Sequence, residues 1–110
     1  MPKTFNINWK NKISQNKLQI KMTPHINFSF YNDLKMEIVS LSPLEDFNLR
    51  CSFVKSGFIQ AEYIGSCFLG LFHLKNNYIF KKECICDLII LDFSKKISNI
   101  EMKMIFDGEV

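Results

Sequence analysis

Phe5-Asn6-Ile7-Asn8-Trp9 and Leu18-Gln19-Ile20-Lys21-Met22 each set an apolar side chain at every second position with a polar one between. A period of two sends those apolar groups to one side of an extended chain, as in a strand with one face on a core. Ile26, Phe28 and Phe30 repeat the pattern, so the first thirty residues predict three strands. Lys10 through Asn16 reads as a loop, Thr23-Pro24 as a break, and Asn32-Asp33 as a tight turn before a fourth strand carrying Leu34, Met36 and Ile38. Leu34, Ile38 and Leu41 also suit a helix face.

Ser42-Pro43-Leu44-Glu45 combines a capping serine, a proline at the first helical position and a glutamate placed to bond back, predicting one short helical turn near 42–47. Phe47, Leu49, Cys51 and Phe53 then alternate against Asn48, Arg50 and Ser52, and Lys55-Ser56-Gly57 reads as a hairpin connection. Phe58 to Ile64 reads as a strand stopping at Gly65. From Ser66 to Leu74 both alternating faces are apolar, which predicts a strand covered on both sides. A buried helix over 58–72 is the rival, but Gly65 and Gly70 would each cost it about 1 kcal/mol relative to Ala. Lys75-Asn76-Asn77 is a turn, and Tyr78 to Phe80, Cys84 to Phe93 and Ile100 to Phe106 complete the strands. The sum is a mainly β chain: an antiparallel sandwich or strongly curled sheet of about 8–9 short strands, its core filled by eleven Phe.

At 110 residues, with 47% apolar and 23% charged side chains, the chain suits a single folded domain over 1–110 and excludes disordered and collagen-like classes. The longest stretch free of charged residues, Tyr63 to Leu74, is too short for a spanning helix. The first nine residues alternate instead of forming the apolar run of a secretory signal. The expectation is a cytoplasmic protein that uses no membrane. Cys51, Cys67, Cys84 and Cys86 sit in apolar stretches without the dense spacing of secreted mini-proteins, so reduced thiols are expected. Asn27-Phe28-Ser29, which matches a glycosylation sequon, reads in that setting as part of a strand.

Met1 to Lys35 holds six lysines against one acid, whereas Met36 to Val110 holds eight basic against ten acidic residues. A basic first third marks contact with nucleic acid or an acidic protein. Lys, Asn, Ile and Phe fill 48 of 110 positions, however, the imprint of an AT-rich coding sequence. Arg50 alone offers the planar fork of bidentate recognition.

Cys84-Ile85-Cys86 would set two sulfurs on one strand face about 7 Å apart between Cα atoms, and Cys51, Cys67, His25 and His73 stand at no recognisable metal spacing. No metal and no cofactor are expected. A cysteine nucleophile, Cys67 or Cys84, would need His25 or His73 as its base, and on one extended strand Cys67 and His73 lie about 20 Å apart. No nucleophile elbow, zinc-protease helix, phosphate-binding loop or dinucleotide fingerprint is present, so catalytic residues are not expected. Asp87 and Asp92 fall on opposite strand faces; they read as solvent-reaching rims, or Asp87 as a polar contact inside a binding surface. Trp9 and Phe5 beside Lys3, Lys10 and Lys12 would form a stacking platform for single-stranded bases, but sharing a face with Ile7 places them in the core.

A small β domain without catalytic constellation works through its surface. The expectation is a protein-binding domain, a bacterial or phage type of immunity protein or inhibitor that neutralises a cognate toxin by occlusion. Its contacts fall on turns, at Lys10, Lys12, Lys55, Asn76, Asn77, Lys95 and Lys96, and its Lys-rich first third faces an acidic partner surface. The alternative is a single-stranded nucleic-acid-binding β domain using the same lysines.

Overall fold

The computed structural model describes residues 3–27, 31–38, 47–67, 71–75 and 85–109. They form β1 (Lys3–Asn27), β2 (Tyr31–Ile38), β3 (Phe47–Lys55), β4 (Phe58–Cys67), β5 (Leu71–Lys75) and β6 (Ile85–Glu109). All pairing is antiparallel. β1 and β6 are 25 residues each and pair with one another from end to end, with register shifts between Lys10 and Lys17 and between Lys21 and Ile26. On its other side β6 pairs with β3 over Leu88–Phe93 and with β2 over Met102–Glu109. The two long strands therefore serve both layers of a sandwich. The first layer contains the C-terminal arm of β1, the N-terminal arm of β6, β3 and β4; the second contains their other arms, β2 and β5.

The expected alternation holds, and it builds the core. Leu18, Ile20, Met22, Leu49, Cys51, Phe53, Ile89, Leu91 and Phe93 point inward from the first layer. Leu34, Met36, Ile38, Phe72, Ile100, Met102, Met104 and Phe106 do so from the second. Phe5, Ile7 and Trp9 are half-buried against the same cluster, with the Phe5 ring edge-on to Phe106 at 5.8 Å.

The antiparallel sandwich is as expected, but several boundaries move. Lys10 to Asn16 and Thr23-Pro24 do not divide strands: the chain stays extended and absorbs them as irregularities of one bent strand. Likewise 84–93 and 100–106 belong, from Ile85, to the single strand β6. Asn32-Asp33 is no turn, since β2 begins at Tyr31 and Asp33 pairs with Asp107 and Lys75. β4 does not stop at Gly65. A Cβ there would lie 2.7 Å from Cε2 of Phe72, so the glycine admits the ring where the two layers meet. Ser66 to Leu74 is not one doubly covered strand: β4 ends at Cys67, and β5 buries Phe72 while exposing Leu71 and His73. The helical rival over 58–72 fails on the β4 ladder. Phe58, assigned to the core, is 74% exposed. The helical turn near 42–47 lies outside the described residues except for Phe47, which opens β3; Asn76-Asn77, Tyr78 to Phe80, Cys84 and Phe28-Ser29 of the sequon lie outside them too. Among the described residues no helix is long and apolar enough to cross a membrane.

Candidate functional site

Where β1 and β6 bend, residues 10–17 of one face 92–99 of the other: Lys10 is opposite Asn99, Gln15 opposite Ile97, and Lys17 opposite Asp92. The turn-forming polar residues of both segments weaken a regular ladder, and Asn16 Nδ2 ties the corner by donating to the carbonyl of Phe93 at 3.1 Å. Among the described residues these segments carry Lys10, Lys17, Lys95 and Lys96 against one acid, Asp92; the side chain of Lys12 lies outside the described residues. Lys10, Lys17 and Lys96 are exposed and Lys95 half-buried; Ile13, on the bent segment of β1, is 71% exposed. Of the seven residues expected at the binding surface, Lys10, Lys95 and Lys96 thus fall on two paired segments that are far apart in sequence. Sequence spacing alone could not bring 10–17 to 92–99, because their pairing is set by the whole sheet.

Lys55 does not join them. It closes the β3–β4 hairpin opposite Phe58, beyond the Val54–Leu88 pair and eleven residues along β6 from Asn99. Asp87 is a structural group there: its Oδ2 accepts the Ser56 N–H at 3.0 Å, which accounts for a carboxylate amid apolar neighbours. Asn76 and Asn77 lie outside the described residues.

Beside the corner, on the outer face of the first layer, Lys17, Asp92, Arg50 and Ile64 form one row across four strands. An open hollow of about 220 Å³ lies along it, lined by Asn48, Arg50, Ile64, Asp92 and Ser94 among others. Ser94 Oγ accepts the Asn48 N–H at 3.0 Å, and Ser66 Oγ donates to Asn48 Oδ1 at 3.2 Å, fixing its polar end. Arg50 makes no ion pair among the described residues. The alternation of Arg50 against Leu49 and Cys51 predicts its outward face; its alignment with Lys17, Asp92 and Ile64 comes from the pairing of four strands. A second hollow, about 230 Å³, lies between Asn6, Asn8, Glu101 and Lys103 on the other layer.

Of the candidate nucleophiles, Cys84 lies outside the described residues and Cys67 is buried. Cys51, Cys67 and Cys86 are fully buried, while His25 is exposed. Burial, reinforced by the neighbouring Cys86, pushes the Cys51 thiol far above its ordinary range, and Cys86 Sγ donates to the Leu88 carbonyl at 3.2 Å. His73 Nε2 lies 3.0 Å from Asp33 Oδ1 on the outer surface of the second layer. Among the described residues no three His, Cys, Asp or Glu gather as metal ligands. Compared with protein-family models, curated proteins and solved structures, the chain matches none.

Proposed function

We propose that this chain is a protein-binding domain that docks its β1–β6 corner on an acidic partner surface, acting as an inhibitor or immunity protein that occludes a cognate toxin. The observation that carries the proposal is that, among the described residues, four lysines, Lys10, Lys17, Lys95 and Lys96, and one acid, Asp92, stand on the two bent segments, a charge of +3, together with exposed Ile13. An excess of positive charge on one region of the surface steers an acidic partner on approach. An exposed apolar residue on a segment rich in charge supplies the apolar element that an interface needs beside its polar rim. About 800 Å² buried on each side would suffice for a specific complex.

The nucleic-acid alternative is less well supported. Phe5 and Trp9 are half-buried against the core instead of standing out as a stacking platform, and the described cations of the corner are lysines, without the fork used for base readout. The test is affinity capture of the tagged chain from its native extract, beside a Lys10→Glu, Lys96→Glu variant. One protein retained through nuclease treatment and lost with the charge reversals is the expected result. Equal capture by the variant would remove the corner from function, and material that vanishes with nuclease would transfer it to nucleic acid.

A further inference from the structure

Among the described residues the outward edges of the two layers, β1 and β4 in the first and β1 and β5 in the second, are not alike. Both arms of β1 are edges among the described residues, and they expose Lys3, Lys10, Lys17 and Lys21, charges that discourage edge-to-edge pairing. β5 is five residues long and ends in Lys75. β4 is ten residues long, contains no lysine, arginine or proline, and carries one charge, Glu62. It exposes Phe58, Ile59 and Ile64 at 74%, 57% and 65%. Its irregularity is one extra residue, Gln60, which leaves Ala61 to Cys67 in regular register with β3.

We propose that β4 is the seam of a homodimer, pairing antiparallel with β4 of a second copy across a two-fold axis. The first layers of the two copies then join into one continuous sheet. The two-fold requires each register to be centred on one residue facing itself. Centring on Glu62 opposes two like charges directly, which is unfavourable. Centring on Tyr63 sets each Glu62 opposite Ile64 of the other copy, and Ile64 is the cross-strand partner of Arg50. A row across the joined sheet then reads Asp92, Arg50, Ile64 and the second copy's Glu62. Arg50 and that glutamate are two strand spacings apart, about 10 Å between Cα atoms, within the joint reach of their side chains. Within its own copy Glu62 uses Oε1 to accept Ser52 Oγ–H at 3.3 Å, leaving Oε2 for the guanidinium. The symmetry makes two such ion pairs, each lying over Ile64. The seam is a different edge from the basic corner and stands independently of it.

Sedimentation equilibrium of the full chain up to about 1 mM tests this. The expected result is a reversible rise in mass from 12.9 kDa toward twice that value. Ile64→Lys places a guarding charge on an exposed site and should weaken association at least about tenfold. Glu62→Arg should weaken it similarly, and adding Arg50→Glu to that variant should restore it. Circular dichroism confirms the fold of each variant, and the charge swap decides should Ile64→Lys not fold. A wild-type chain that stays monomeric throughout overturns the proposal, as does a dimer equally tight in Ile64→Lys or a swapped pair no tighter than Glu62→Arg alone.

Discussion

At Gly65 the absence of one carbon decides whether the two layers close. The Phe72 ring that fills this space is itself fully buried, so it has little room to move away from a Cβ 2.7 Å from its Cε2. Gly65→Ala should therefore cost about 1–3 kcal/mol, read as a lower urea midpoint, and Phe72→Leu in the same chain should recover part of it. An unchanged midpoint in the single variant would show that the contact is slack. Cys51 makes a second prediction. In the unfolded chain its thiol ionises near the ordinary value of 9.0, whereas burial keeps it protonated well above that in the fold. Below pH 9 both states hold the proton and its contribution is constant. Above it the unfolded chain releases a proton that the folded chain keeps, so stability falls as pH rises, by about 1.4 kcal/mol per unit. Urea unfolding between pH 8 and 10 should show a shallower fall in Cys51→Ala than in the wild type; equal slopes would mean that the thiol ionises in place.

Among the elements, the β3–β4 hairpin is where local chemistry is most explicit. Ser56 and Gly57 both have positive φ, 50° and 84°, the two-residue connection whose twist matches that of its strands. Gly57 has open space around its missing Cβ, so Gly57→Ala tests backbone conformation alone and should cost about 1 kcal/mol. Asp87→Ala should cost about 0.5–1.5 kcal/mol by removing the acceptor of the Ser56 N–H. Thermal unfolding of both variants checks these values, and an Asp87→Ala chain as stable as wild type would show that water replaces the carboxylate. This hairpin was legible in Lys55-Ser56-Gly57 because its cause is local, as were the alternating faces of β1, β2, β3 and β6. The bends were not. Lys10 to Asn16 carries the composition of a loop, yet the ladder with β6 holds it extended, and that ladder depends on residues eighty positions away. For the same reason the lysines of the corner were legible one by one, as polar residues at turns, while their assembly was not. Asp87, Gly65 and the row through Arg50 each depend on a partner from another strand, which a single-chain pattern does not reveal.

For the whole molecule, the two long strands have a consequence that a sandwich of short strands would lack. Each layer contains half of β1 and half of β6, so neither can unfold without releasing strands that the other requires. Trp9 lies in the second layer, opposite Ile100, while Phe53 is buried in the first, opposite Ile89 and Ala61. Phe53→Ala leaves a cavity in the first layer and should cost about 3–5 kcal/mol. Were the layers independent, Trp9 emission would keep its wild-type urea midpoint while the β signal in circular dichroism fell in two steps. Shared strands predict instead that both probes move together to one lower midpoint, a single cooperative transition. Because Lys3 stands opposite Phe106, the pairing also demands closure of a loop of about a hundred residues. Refolding should accordingly be slow, in the millisecond-to-second range of sheets built from distant contacts, and Trp9 should report the same rate as circular dichroism. A Trp9 signal that recovers well before the β signal would separate the layers and contradict the continuity of β1 and β6 through the corner.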